Sequence, residues 1–213
     1  MGIVNLTPDS FYDGGKIKNE NDLLSQCEQH LNEGATILDL GAQSTKPNAI
    51  KVSVEEEIDR VSKHIHIVIK HFPEALVSVD TYYTKVATSA INSGAHIIND
   101  ISGGTIDKTM LDAVLDLNVP YIASHIQGTP ATMQTNPSYK NVTTEVYKEL
   151  STIKGKLFSK GFKDLIVDPG FGFGKTVEHN YELLNNLSHL KSLNLPILVG
   201  VSRKSMIWKK LNS

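Results

Sequence analysis

Acidic and amide side chains close several of the apolar runs in this sequence. Three runs of β-branched and aliphatic residues end on Asp80, Asn99 and Asp168. Each residue alone could serve as a helix N-cap or a turn former, since Asp and Asn are common in both places. As a set they suit a flat heterocycle, because carboxylates accept hydrogen bonds from amino and ring N–H groups and an amide both donates and accepts. The set therefore predicts a binding site for such a ring.

A pair of cations follows the last apolar run, where Arg203 and Lys204 stand between two serines. We expect a helix to begin here. Two cations at a helix N-terminus oppose the helix dipole, which favours anions. A bound anion or carbonyl group would remove that conflict, so this segment is the strongest single indication of a site.

Three loops carry further candidate residues. Residues 5–15 combine turn formers and a glycine pair with the ring of Phe11, which a purely structural turn would not need. Such glycine-ended loops commonly cover a substrate. Residues 41–48 combine hydroxyl groups with one cation and are equally compatible with a connector and with a ligand contact. Residues 168–176 lack the glycine that a phosphate-binding P-loop needs at position 169, so we expect Phe171 or Phe173 to lie over a ligand instead.

The histidines give weaker indications. His64, His66 and His71 fall on one predicted helix without an HExxH motif or a cysteine partner, and we interpret them as a solvated face. His125, at a strand end, could be a site residue or a buried, hydrogen-bonded one.

Composition narrows the function classes. The formal net charge of −2 gives no field for gathering nucleic acid or an anionic membrane surface. The single cysteine, Cys27, excludes an internal disulfide and a cysteine-rich zinc site, and it fits a reducing compartment, so we expect a cytoplasmic protein. No apolar run reaches the roughly 20 residues of a membrane span.

Seven apolar runs are each too short for a helix, and their near-continuous apolarity is typical of parallel strands buried on both faces. The runs lie at 3–4, 36–38, 76–79, 97–98, 121–123, 165–167 and 197–201. Segments with helical spacing of apolar residues lie between them, at 23–31, 54–69, 86–91, 110–117, 146–158 and 181–193. The sequence therefore predicts an α/β protein built from seven βα units.

Strict βα alternation leaves an open doubly wound sheet or a closed barrel. A doubly wound sheet gathers its ligand groups at one switch point, whereas a barrel brings every carboxyl strand end to one mouth. Nearly every run here ends in a polar or glycine residue, which favours a TIM (β/α)8 barrel. Such a barrel needs eight strands and commonly about 250 residues. We therefore expect residues 1–213 to form one barrel domain whose eighth βα unit is missing at the C-terminus.

Several segments in order along the chain resemble the signatures of bacterial dihydropteroate synthases, which belong to the pterin-binding enzymes. They are residues 5–15, 41–47, 78–81, 98–100, 125 with 128–134, 168–174 and 202–204. The resemblance implies a TIM barrel that joins 7,8-dihydropterin-6-ylmethyl diphosphate to p-aminobenzoate and releases 7,8-dihydropteroate and diphosphate in folate biosynthesis. It further implies Mg2+ as the metal, inhibition by sulfonamides, a homodimer and an SN1-like reaction in which diphosphate leaves first.

The resemblance also implies roles for individual residues. Asp80, Asn99, Asp168 and Lys204 match pterin-binding positions, and Asn5 matches the position that meets magnesium and the diphosphate. The surroundings of p-aminobenzoate are matched by Phe11, Thr45, Pro47, Phe173 and Ser205. Catalytic roles fall to Asp80, Lys204 and, as a further contact in the first loop, Asp9.

The chain departs from the family pattern at three places. Lys46 stands where arginine is usual and loses the planar bidentate fork, and Ser124 stands where methionine usually packs against the pterin. The Arg-x-His motif of the eighth strand, which binds diphosphate, is absent from the sequence. Two alternatives share the pterin site: a pterin-binding methyltransferase domain, which should lack the first- and second-loop motifs, and a non-catalytic pterin-binding subunit.

Overall fold

In the described part of the chain, six parallel strands and the helices between them form the fold. The computed structural model describes residues 1–6, 19–43 and 52–207. The strands are β1 (Gly2–Asn5), β2 (Ile37–Gly41), β3 (Leu76–Asp80), β4 (Ile97–Asp100), β5 (Tyr121–Ser124) and β6 (Leu165–Asp168). The α-helices are α1 (Glu20–Asn32), α2 (Val54–His71), α3 (Thr84–Asn92), α4 (Met110–Leu117), α5 (Val142–Phe158) and α6 (Val177–Asn185), followed by a 3-10 helix (Leu187–Leu193).

The strands form one sheet in which each pairs with the next along the chain, in the order β1-β2-β3-β4-β5-β6, and every pair is parallel. A doubly wound sheet reverses its strand order at a switch point. The order here shows no reversal, which is the pattern of a barrel wall. All six carboxyl ends consequently lie at one edge.

The two faces of each strand have different chemistry, because successive side chains point to opposite faces. In β2, Leu38 and Leu40 are fully buried in the hydrophobic core. The residue between them, Asp39, instead bonds to side chains of β3 and β4 through Ser78 and Asn99. The apolar face therefore packs in the core, and the other face carries polar groups.

The seventh predicted strand is reduced to a single bridge between Ile197 and Val167. Two backbone bonds flank it, from Val167 to the Pro196 carbonyl at 3.0 Å and from Leu198 to the Val167 carbonyl at 2.8 Å. The pairing stops because β6 ends at Asp168, and the following proline has no N–H to offer. The prediction of a full strand over 197–201 was wrong for this reason.

The predicted helix at 181–193 is two segments, α6 and the 3-10 helix, with a break at Asn186. Asparagine competes for backbone hydrogen bonds and weakens a helix interior. The other predicted helices are present. No helix in the described part of the chain is long and apolar enough to cross a membrane.

We predict that Tyr121→Phe destabilises the fold. The buried Asp100 carboxylate accepts hydrogen bonds from the Ser102 backbone and hydroxyl at 2.7 Å, the Gly104 amide at 2.8 Å and the Tyr121 hydroxyl at 2.9 Å. Loss of one donor to a buried carboxylate should lower the free energy of unfolding by about 1–3 kcal/mol, measured by urea denaturation. Tyr147→Phe, whose ring contact with His189 persists, is the control. Equal stability of the two variants would contradict this account.

Candidate functional site

The strand register sets the predicted site residues side by side at the carboxyl edge. Asn5 lies opposite Gly41, Gly41 opposite Asp80, and Asp80 opposite Asn99. Farther along the edge, Asp168 lies opposite Ser124. Five of the six strands thus present polar groups along this edge, and the row is interrupted at Gly41 on β2. A side chain at that glycine would approach Asp80 Oδ2 to 3.3 Å, so the absence of a side chain leaves room for the carboxylate.

Asp39, on β2, is a buried acid below this row that hydrogen-bonds to residues of β3 and β4. Its carboxylate accepts hydrogen bonds from the Ser78 hydroxyl and from Asn99 Nδ2, the latter at 3.0 Å. The residue is almost fully buried, and desolvation raises the pKa of its carboxyl although both hydrogen bonds oppose the shift. The bond fixes Asn99 with its amide nitrogen on Asp39, which leaves the amide oxygen as the group available to accept from a ligand.

Asp80 has the most strongly perturbed carboxyl of the row. Burial raises its pKa well above the usual range, and the negative charges of Asp39, Glu57 and Asp100 add to the shift. The Lys204 ammonium acts in the opposite direction. Strong perturbation by desolvation and by specific charges is typical of functional carboxylates.

Asp168 is the second buried acid, at 9% exposure. Its Oδ1 accepts the Gly170 amide at 2.7 Å. Burial raises the pKa of this carboxyl, while the Gly170 amide, the ammonium of Lys204 and the Ser124 hydroxyl hold it down. Ser124, one of the departures from the family pattern, therefore contributes a hydrogen bond to this acid.

Lys204 interacts electrostatically with both Asp80 and Asp168. Desolvation lowers the pKa of its ammonium, and the carboxylates of Asp168 and Asp80 counter that shift. Its Nζ donates a hydrogen bond to the Phe171 carbonyl and lies 4.6 Å from the centroid of the Phe173 ring. The cation is thus held by two charges, one carbonyl and one aromatic face, which together position it at the mouth.

The segment Gly170–Gly174 carries the carbonyl and the ring that contact Lys204. Gly170 has a φ of +69°, and a Cβ there would lie 1.9 Å from the His125 carbonyl oxygen. Gly174 has a φ of +62°, and a Cβ there would lie 2.5 Å from the Gln127 carbonyl oxygen. Both positions therefore require glycine for conformation and for space. The tight contact fixes this segment against the loop that follows β5.

The structure brings together most of the predicted residues that it describes. Asp80, Asn99, Asp168, Lys204 and Phe173 share the carboxyl edge, and Asn5 lies at the end of β1. Phe171 is fully buried in the core, so of the two aromatics it is Phe173 that faces the cation. Ser205 is exposed at the start of a helical turn. Asp9, Phe11, Thr45, Lys46 and Pro47 lie outside the described residues.

The histidines named in the sequence analysis have structural contacts. His64, His66 and His71 each place Nδ1 near the backbone carbonyl four residues earlier in α2. His125 is buried, and its Nδ1 accepts a hydrogen bond from Lys175 Nζ at 2.9 Å. Burial lowers its pKa to about 3, so the ring is neutral. The buried, hydrogen-bonded interpretation of His125 is the one that the structure supports.

Two residues of this region were missed by sequence reasoning. Asp39 stands between two leucines in a buried strand, and a charge at such a position was a usable signal. Lys175 lies in the segment that fails the P-loop motif, and no local sequence pattern indicates that it is buried.

Comparison with known proteins identifies the class. The family model described as pterin binding enzyme matches residues 1–213, so the chain belongs to the pterin-binding enzyme family. Among sequence relatives, the dihydropteroate synthase of Escherichia coli strain K12 is 43% identical over 214 residues, which cover 100% of this chain and 75% of that protein.

Solved structures agree in fold and class. The Yersinia pestis dihydropteroate synthase in a sulfonamide drug complex matches with a TM-score of 0.93 and 40% identity, covering 100% of this chain and 77% of that one. The Xanthomonas albilineans dihydropteroate synthase with 4-aminobenzoic acid matches with a TM-score of 0.89 and 38% identity, covering 100% and 76%.

These matches confirm the TIM-barrel fold class predicted from the sequence. They also confirm the particular activity: the function is that of a dihydropteroate synthase, a transferase of folate biosynthesis that joins the pterinylmethyl group to p-aminobenzoate. The methyltransferase and non-catalytic alternatives are set aside on the same findings.

We predict that Asp80→Asn stabilises the protein at neutral pH while impairing its activity. A carboxyl whose pKa is raised by folding stabilises the native state at low pH and loses that contribution as the pH rises from the ordinary carboxyl pKa to the raised one. The neutral amide avoids this loss. The free energy of unfolding at pH 7 should rise by about 0.5–2 kcal/mol, with the gain shrinking toward about pH 4.

Urea denaturation at both pH values measures the effect of Asp80→Asn. Asp112→Asn, at an exposed acid paired with Lys160 at 2.8 Å, is the matched control and should change stability by less than about 0.5 kcal/mol. A loss of stability at pH 7 in Asp80→Asn would mean that the carboxylate supports the fold.

Proposed function

We propose that Asp80, Asn99, Asp168 and Lys204 hold the pterin ring of the diphosphate substrate. The observation that carries this assignment is the pair of carboxylates at one strand edge, Asp168 buried and Asp80 half-buried, that both interact with the Lys204 ammonium. A pterin has amino and ring N–H groups on one side and a carbonyl group beside them, so its donors match the carboxylates and its carbonyl oxygen matches the ammonium. The ring supplies hydrogen-bond partners to Asp80, Asp168 and Lys204, which have already lost part of their hydration in the folded protein.

Asn99 supports the orientation of the ring. Because Asp39 holds its Nδ2, the amide oxygen is directed as a third acceptor for ring donors. A ring that lacks one of these donors would leave a buried acceptor unsatisfied, which costs about 1–3 kcal/mol. Discrimination for a pterin over a less polar heterocycle follows from that cost.

The aryl amine is placed on the Phe173 side of Lys204. The Xanthomonas albilineans relative contains 4-aminobenzoic acid, and the Yersinia pestis relative is in a sulfonamide complex. Phe173 offers a ring face within 4.6 Å of the ammonium, a surface suited to another flat aromatic ring. The further contacts predicted at Phe11, Thr45, Pro47 and Ser205 complete this proposal. A sulfonamide would compete for the same place.

Magnesium fits the residues that the structure describes only as an ion shared with the substrate. No group of three His, Cys, Asp or Glu side chains in the described residues could form a metal site. Asn5 offers one amide oxygen at the end of β1. Mg2+ is commonly bound through few protein oxygens, substrate phosphates and water, so a single protein oxygen fits it. When bound there, it would neutralise the charge of the departing diphosphate.

The residues of this chain contribute charge and position to the transfer. The bond between the pterin methylene carbon and the diphosphate oxygen breaks with its electron pair on oxygen, which leaves positive charge delocalised over the pterin ring. The carboxylates of Asp80 and Asp168, beside that ring, stabilise the charge as it develops. The amine nitrogen of p-aminobenzoate then forms the new bond to carbon and gives up a proton to water. Holding both flat rings beside Lys204 supplies the orientation, and Asp9 remains the predicted further participant.

Two wider predictions complete the proposal. We propose a homodimer, as expected from the family resemblance. We also propose a cytoplasmic location, since Cys27, the one cysteine of the sequence, is a buried free thiol that suits a reducing compartment.

The proposed pterin contacts are tested by Asp168→Asn. The amide retains the shape of the carboxylate but presents a donor toward the ring, so pterin binding should weaken by about 1–3 kcal/mol while the melting temperature shifts by a few degrees at most. Isothermal titration calorimetry with a pterin measures the affinity, and diphosphate release with both substrates measures turnover. Asp164→Asn, at an exposed acid just before β6, is the control. Unchanged pterin affinity in Asp168→Asn would refute the assignment.

A further inference from the structure

Lys175 is buried, at 3% exposure, behind the segment Gly170–Gly174. Its Nζ donates to the Gly170 carbonyl at 2.8 Å and to the Phe173 carbonyl at 3.1 Å. It also lies 2.9 Å from His125 Nδ1 and 3.3 Å from the His125 carbonyl oxygen. One ammonium therefore joins both ends of the segment to the end of β5.

We propose that Lys175 is a positioning residue that sets the place of Phe173, and through it the p-aminobenzoate face of the site. The proposal rests on the proposed function of Phe173. It concerns a buried side chain that acts through the backbone of the segment it holds.

The segment needs such a support because its glycines allow many backbone conformations. Three of its five residues are glycines, and each of them has a positive φ. Glycine loses more conformational freedom on ordering than any other residue. Without fixed backbone partners, the Phe173 ring would sample many positions relative to the cation beside it.

Other contacts secure different parts of the segment. The Gly172 amide donates to Asn180 Oδ1 at 2.7 Å, and the Gly172 carbonyl accepts from Gln134 at 2.8 Å. The Gly174 carbonyl accepts from the Tyr139 hydroxyl at 2.7 Å. The carbonyl of Phe173 itself is held by Lys175. The lysine thus supports the residue that carries the functional ring.

The groups around Lys175 Nζ are hydrogen-bond acceptors. Its three N–H groups face four acceptors, three backbone carbonyls and a neutral imidazole, and the His125 ring keeps its proton on Nε2, 3.5 Å from Glu149 Oε2. Burial lowers the pKa of the ammonium to about 7, while Asp168 and Glu149 oppose the shift. An apolar side chain of similar length would fill this space without the desolvation cost, so the donor contacts give the lysine its specific role.

The test is steady-state kinetics of the enzyme carrying Lys175→Met, which keeps the length and removes the donors. We expect the KM for p-aminobenzoate to rise about tenfold or more, because the Phe173 ring is displaced. The KM for the pterin diphosphate should rise less than the KM for p-aminobenzoate, since Asp80 and Asn99 lie on β3 and β4 and, of the proposed pterin-binding residues, only Asp168 and Lys204 contact the segment.

Lys154→Met is the matched control. Lys154 also donates to a backbone carbonyl, that of Leu193 at 2.7 Å, and lies 5.2 Å from the Phe158 ring centroid, but it packs between α5 and the 3-10 helix. Its loss should lower the melting temperature and leave both KM values unchanged. The comparison separates a general effect of removing a lysine from an effect on the substrate site.

Phe173→Ala is the reference variant and distinguishes failure of this proposal from failure of the proposed function. If Phe173→Ala raises the KM for p-aminobenzoate and Lys175→Met does not, the positioning role is overturned and the placement of the aryl amine stands. If neither raises it, both are overturned. Where Lys175→Met fails to fold, Lys175→Gln keeps one neutral donor and should show the same selective rise. Loss of the fold in both would assign Lys175 to stability alone and overturn the proposal.

Discussion

The balance between the half-buried Lys204 ammonium and the carboxylates of Asp80 and Asp168 governs this site. Asp80 and Asp168 would each resist ionisation in their surroundings, and Lys204 would resist protonation in its own. Their mutual attraction offsets part of the desolvation and so favours the charged forms of all three groups in these partly desolvated surroundings. Electrostatic stabilisation of a developing charge is worth more in such surroundings than in water. The desolvated cluster therefore lowers the stability of the ligand-free protein but strengthens its interaction with a charged, planar substrate.

The register of the parallel strands brings the residues of this cluster together. Parallel pairing of consecutive strands brings Gly41, Asp80 and Asn99 into adjacent positions although they are far apart in the chain. The polar face beneath them is ordered by Asp39, and the glycine-rich segment after β6 brings a ring and a carbonyl to Lys204. Backbone geometry thus fixes the charges before any ligand is present, as preorganised binding requires.

Much of this could be predicted because the signals are local. Short apolar runs that end in Asp or Asn reveal both a strand and the group at its end, and the conflict at Arg203 and Lys204 revealed a cation in need of a partner. What depends on tertiary packing was not predictable. The burial of Lys175 follows from distant carbonyls at His125 and Gly170, and the end of pairing after Ile197 follows from where a different strand stops. Asp39 is an intermediate case. Its position in an apolar strand could be read from the sequence, but its hydrogen-bond partners on β3 and β4 could not.

The most direct measurement of the central claim is the number of protons exchanged when a pterin binds. Ring donors that bond to Asp80 and Asp168 would favour the ionised carboxyls, so protons held because of their raised pKa values should be released on binding. Calorimetric titration of the pterin in buffers of different ionisation enthalpy, between about pH 4 and pH 6, measures this number. The account predicts proton release in that range. Proton uptake, or no exchange at any pH, would contradict it.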